Sequence, residues 1–122
     1  MTDEIRSFKD LKVWQQAVDL AVQIYAVTQT WPKEELYGLT SQARRAATSV
    51  AANIAEGYGR ENRGSYQQFL RIAQGSLKEL ETHLIVAQRI HIATEAQMSE
   101  LNHRIESVGI LLRSLIRKLA EK

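Results

Sequence analysis

Five arginines gather in the middle of the chain: Arg44, Arg45, Arg60, Arg63 and Arg71. Between Gly38 and Ser76 only Glu56 and Glu61 oppose them, a local balance of 5 − 2 = +3. Tyr58 and Tyr66 lie among them. A guanidinium is a planar fork that grips phosphate through two parallel hydrogen bonds. A tyrosine face can stack on an unpaired base. The chemistry that suits this pattern is non-covalent, the holding of a nucleic-acid backbone. The same residues would also fit a solvated helix face laced with ion pairs. A second basic group, Arg113, Arg117, Lys118 and Lys122, closes the chain. There the dipole of a helix C-terminus favours cations, which explains the group without a ligand.

Catalytic and metal-binding patterns are weaker. Glu79 and His83 stand four residues apart, a spacing open to an acid–base pair but commoner as a surface helix pair. Glu100 and His103 match the Glu-x-x-His spacing of di-iron bundles, which require two copies and further inward glutamates. The sequence has one copy, and with Met98, Leu101 and Ile105 as core both residues should point outward. Gly57, Gly59 and Gly64 do not have the spacing of a dinucleotide fingerprint and follow no strand. Cysteine is absent, so no disulfide, thiolate metal site or cysteine nucleophile exists. The expectation is a protein with no enzymatic activity, no metal and no cofactor.

The 122 residues suit one domain, 1–122, with 44% hydrophobic and 25% charged residues, as in soluble globular proteins. The formal charge of +2 permits a nucleic-acid partner without demanding one. The polar start MTDEIRSFKD argues against a signal peptide, and no apolar run nears the roughly 18 residues of a membrane span. A cytoplasmic protein without membrane contact is expected.

One proline and many Ala, Leu, Gln, Glu and Arg favour helix. Periodicity predicts four helices, at about 10–30, 40–57, 65–90 and 95–119. In the first, Leu11, Trp14, Val18, Ala21, Tyr25 and Thr28 form a 3,4-spaced seam. Val13, Ala17, Leu20, Ile24 and Val27 are apolar too, so this helix should have cover on two sides. The aromatics Trp14, Tyr25, Trp31 and Phe69 read as core or subunit interface. Pro32 ends the first helix or opens the next turn. The second should be capped by Thr40 or Ser41 and carries many alanines, with Gly57 at its C-terminal cap. The third is interrupted by Gly75 and Ser76, which predicts close helix–helix contact. The fourth repeats Met98, Leu101, Ile105, Val108, Leu112, Leu115 and Leu119 without a fault, behind a Thr94–Gln97 capping box. Short linkers make neighbours antiparallel, giving an all-α, up-down-up-down four-helix bundle. The stretch from Asn53 to Phe69 is the corner between helices two and three. Its glycines should supply backbone freedom, Asn53 should bond across to the next helix, and Glu56 should cap or pair with an arginine.

The run Gln42, Arg44, Arg45, Ala46, Ala47, Ser49, Val50, Asn53, Ile54, Ala55, Glu56, Gly57, Gly59, Arg60 is long and specific. It is followed by Phe69, Leu70, Ala73, Gly75, Ser76, Glu79 and Leu80. This pattern resembles the 23S ribosomal RNA intervening-sequence protein family, small bacterial four-helix bundles. Leu11, Val13, Trp14, Trp31 and Pro32 fit it as well. The resemblance implies a homopentamer, in which one flank of the first helix would meet the next subunit. It also implies kinship with the accessory variability protein of diversity-generating retroelements, which is associated with a reverse transcriptase and nucleic acid.

Two functions follow as expectations. The first is a non-enzymatic accessory protein that binds RNA or DNA through Arg44, Arg45, Arg60, Arg63, Arg71 and Tyr58. The second is a scaffold that docks a protein partner, such as a reverse transcriptase, without touching nucleic acid.

Overall fold

Four helices carry most of the chain in a computed structural model that describes residues 4–121. α1 spans Lys12–Thr28, α2 Ser41–Tyr58, α3 Arg63–Arg89 and α4 Glu95–Ala120. Among the described residues there is no strand. Residues 1–3, the first of the polar start, and Lys122, the last of the C-terminal basic group, lie outside the described residues. α1 packs on α2 and α4, and α3 packs on the same two helices, so the four surround one apolar core. The architecture is that of an all-helical four-helix fold.

The central core positions of α1 are Val13, Ala17, Leu20, Ile24 and Val27. Of the expected seam, Thr28 is buried, Leu11, Trp14, Val18 and Ala21 pack at the flank, and Tyr25 is exposed. Two apolar rows offset by about 100° on one helix have equal spacing, so periodicity alone cannot rank them. The compact aliphatic row takes the centre. The amphipathic rings of Trp14 and Tyr25 sit at the rim, where a polar tip can reach water. Trp31 is buried beyond the end of α1, against the core.

Caps set the helix ends. Thr94 accepts from Gln97 N at 3.1 Å while Gln97 Oε1 accepts from Thr94 N at 3.0 Å, the predicted box. Asn62 caps α3 by accepting from Ser65 N at 2.7 Å. The cap expected at Thr40 or Ser41 is absent. Thr40 is already helical, because a wide π-type turn at Leu36–Thr40 runs straight into α2. The capping acceptor has moved upstream to the carboxylate of Glu35, which takes Leu39 N at 3.3 Å.

The glycine at the corner works by lacking a side chain. No described glycine has a positive φ. Gly57 is inside α2, and a Cβ there would lie 2.9 Å from Phe69 Cβ and 3.1 Å from Tyr66 O. Its role is close approach of α2 to α3, and the helix ends one residue later, at Tyr58. Gly75, by contrast, has nothing within 4 Å of where a Cβ would stand, so the close contact expected there does not occur within the chain. Ser76 makes the crossing instead, with Oγ 2.8 Å from Ser49 Oγ. Asn53 does not reach across. Its Nδ2 donates back to Ser49 O at 2.9 Å and Ser49 Oγ at 3.0 Å.

The one described non-glycine residue with positive φ is His91 (φ 69°), between α3 and α4. Ile92 N donates to Ala87 O at 2.9 Å and His91 N to Gln88 O at 3.0 Å, the paired bonds that close a helix through a left-handed residue. A side chain there is unfavourable by about 1 kcal/mol or more, and glycine is free of that strain. His91→Gly is therefore expected to raise stability by about 1 kcal/mol, read as a higher urea midpoint at unchanged slope.

Candidate nucleic-acid interface

The candidate residues fall into three places. Arg44 and Arg45 are the fourth and fifth residues of α2, and Tyr58 ends the same helix. At 1.5 Å per residue, about 21 Å of helix separates Arg44 from Tyr58. Arg60 and Arg63 belong to the corner, and Arg71 lies about 12 Å further along α3 from Arg63.

At the corner the polar groups find partners inside the chain. Arg60 Nη2 meets Glu56 Oε2 at 3.1 Å, and its guanidinium sits 4.6 Å from the centre of the Phe69 ring. Arg63 Nη1 donates to the backbone carbonyl of Glu121. Tyr58 packs edge-on against Tyr66, with ring centres 6.1 Å apart. Tyr66 in turn lies against the core beside Gly57. Burial, and then the neighbouring Tyr58, push the Tyr66 hydroxyl up to about 12. A raised value means the fold disfavours the phenolate. The associated stability is whole below about pH 10, the ordinary tyrosine value, and is lost as pH climbs toward 12. Melting temperature is expected to fall across that window, and less so in Tyr66→Phe, whose ring cannot ionise.

At the start of α2, Arg44 is half-buried and held from two sides. Its Nε donates to Thr28 Oγ1 at 2.8 Å, and its guanidinium lies 4.7 Å from the Tyr25 ring centre. Thr28 is itself buried and donates to Ile24 O at 2.7 Å. Arg45 is exposed beside it. The two line an open notch of about 530 Å³ with Tyr25, Leu36, Tyr37 and Ser41.

The third place is a groove between α3 and α4. Arg71 and Gln74 from α3 face Arg113 and Arg117 from α4 across a hollow of about 410 Å³ that no carboxylate lines. The groove continues past Arg71 and Arg113 into a larger hollow of about 680 Å³, lined also by Lys78, Glu81 and Glu106. Gln67 Nε2, donating to Ile116 O at 3.3 Å, ties the two helices beside it. Sequence reasoning assigns Arg113 and Arg117 to the helix dipole and misses their meeting with Arg71. The 3,4 spacing of Arg71, Gln74 and Lys78, with Arg113 and Arg117 four apart, is the available signal. It becomes a groove only once α3 and α4 are known to be neighbours.

Among the described residues, Arg44, Arg45, Arg63, Arg71, Arg113 and Arg117 have no carboxylate within 4.0 Å. Of the five arginines singled out in the sequence, Arg60 alone is in an ion pair there. Glu79 and His83 form a surface pair at 3.2 Å, and Glu100 faces Arg104 at 3.8 Å with His103 exposed. Among the described residues no three His, Asp or Glu side chains are grouped to hold a metal ion, and no helix is long and apolar enough to cross a membrane.

Fold and surface define a small all-helical protein with unpaired arginines on two of its faces. The chain belongs to the 23S rRNA-intervening sequence protein family, whose model it matches over residues 9–114. It is similar to a crystal structure of a protein of unknown function from the S23 ribosomal protein family of Bacteroides thetaiotaomicron VPI-5482. The two share 26% identity with a TM-score of 0.80, over 86% of this chain and 95% of that one. A comparison with curated protein sequences gives no match.

Proposed function

We propose that this protein is a non-enzymatic, cytoplasmic accessory protein that binds nucleic acid through phosphate contacts. The observation that carries the reading is the set of arginines left without carboxylate partners, at the start of α2 and in the α3–α4 groove. A solvated face stabilised by ion pairs would have used them up. Arg44, Arg45 and Arg71 are joined in this role by Arg113 and Arg117. Arg60, Arg63 and Tyr58 stay at the surface or half-exposed and add charge and contact at the corner.

The helices run alternately up and down in this reading, and five copies assemble around an axis. Support comes from Val22 on α1, Ile72 on α3 and Ile110 on α4, which are apolar and exposed in the single chain. A ring repeats each basic patch and multiplies weak contacts into firm binding. A second reading, docking of a protein partner such as a reverse transcriptase, draws on Ile85, Val86 and Ile90, exposed together near the end of α3.

The test is fluorescence anisotropy of a labelled structured RNA and a single-stranded DNA across a salt series, with light scattering on the same samples. Binding that weakens steeply with salt, and that falls when Arg71, Arg113 and Arg117 become alanine at unchanged oligomeric mass, supports nucleic-acid contact. No binding at low salt sinks it and turns the search to protein partners.

A further inference from the structure

Tyr37 is 93% exposed, the most exposed large hydrophobic side chain among the described residues. It stands in the π-type turn before α2, next to Gly38, where the backbone kinks out of helical geometry (φ −114°, ψ −109°). A ring held off the body of the protein stabilises nothing within the chain. Its neighbours in the notch are unlike an ordinary surface. Tyr25 and Leu36 give apolar walls, Arg44 and Arg45 give two positive charges, and no acidic side chain lines it.

Arg44 is already positioned. Its Nε bond to Thr28 and the Tyr25 ring beneath it fix the guanidinium, so little side-chain freedom remains to be lost on binding. The terminal Nη groups make no hydrogen bond within the described chain.

We infer that this notch takes an unpaired nucleotide, with the base stacked on Tyr37 and the adjoining phosphate held by Arg44 and Arg45. The inference rests on the nucleic-acid reading above and sharpens it, because it assigns one site to single strands. A duplex keeps its bases stacked inside and can offer this site only phosphates. A base has a π face whatever its identity, so the notch tolerates any sequence.

The probe is a single-stranded RNA carrying one 2-aminopurine, whose fluorescence is quenched on stacking, compared with the same strand annealed to its complement. Tyr37→Ala is expected to weaken single-strand binding about tenfold and to abolish the quenching, with duplex binding and salt slope unchanged. Tyr37→Phe, which keeps the ring, should behave as the parent. Tyr37 is so exposed that loss of folding does not threaten the comparison. If Tyr37→Ala leaves single-strand binding intact while the arginine variants weaken it, the stacking site is overturned and the phosphate reading survives. If Tyr37→Ala changes only the oligomeric mass by light scattering, the ring belongs to a subunit contact and the inference falls. A parent protein that binds neither probe at low salt overturns both.

Discussion

Gly57→Ala is expected to destabilise the fold by about 1–3 kcal/mol, while the same substitution at Gly75 stabilises it by up to about 1 kcal/mol. In a helix interior alanine is favoured over glycine by about 1 kcal/mol, so both changes begin with the same gain. At Gly75 nothing within 4 Å opposes it. At Gly57 the new methyl would meet Phe69 Cβ at 2.9 Å and Tyr66 O at 3.1 Å. Neither is the far end of a flexible side chain. Relief requires α3 to move as a body, which would disturb the Ser49–Ser76 crossing further along the same interface. The measurement is urea denaturation of the two variants and the parent side by side. Equal shifts of the same sign would show that α2 and α3 do not approach as closely as described.

The second large effect is on binding. Alanine at Arg71, Arg113 and Arg117 together is expected to lower affinity for a single strand about 100-fold near 50 mM salt, at about 1 kcal/mol per exposed charge contact. The slope of log affinity against log salt should become shallower by about 2, at about 0.7 for each phosphate no longer neutralised. Exposed arginines contribute little to folding, so the melting temperature should change little. A 100-fold loss with an unchanged salt slope would mean that the groove does not hold phosphates. Conversely, alanine at Arg60 is expected to weaken binding less, since its guanidinium already serves Glu56 and the Phe69 ring.

The sequence makes helices legible wherever a side chain declares its own environment. The row from Met98 to Leu112 and the Thr94–Gln97 box need no knowledge of the rest of the chain, and both stand as read; past Leu112 the buried position passes to Ile116, with Leu115 and Leu119 partly buried beside it. What fails needs a neighbour. Gly57 looks like a helix terminator because glycine is common after helix ends; Phe69 and Tyr66 pressing on it cannot be seen from α2 alone. Asn53 looks like a cross-link for the same reason, when Ser49 is the residue facing Ser76. Tyr37 gives no signal because it lies between helices, where no period says which way a side chain faces. The arginines are legible as a set of charges. Their division over two faces and a corner is not, because charge counts carry no distance.

That division gives the molecule a length scale. Arg44 and Tyr58 stand about 21 Å apart along α2, and a duplex rises about 3.4 Å along its axis for each phosphate of one strand. A duplex of fewer than about six base pairs lying along α2 can touch one end of that helix at a time. A longer one can hold both, and each grip keeps the other end close while it lets go and returns. On the proposed reading the protein is a ruler, and affinity plotted against duplex length should show a step at that span and not a steady climb.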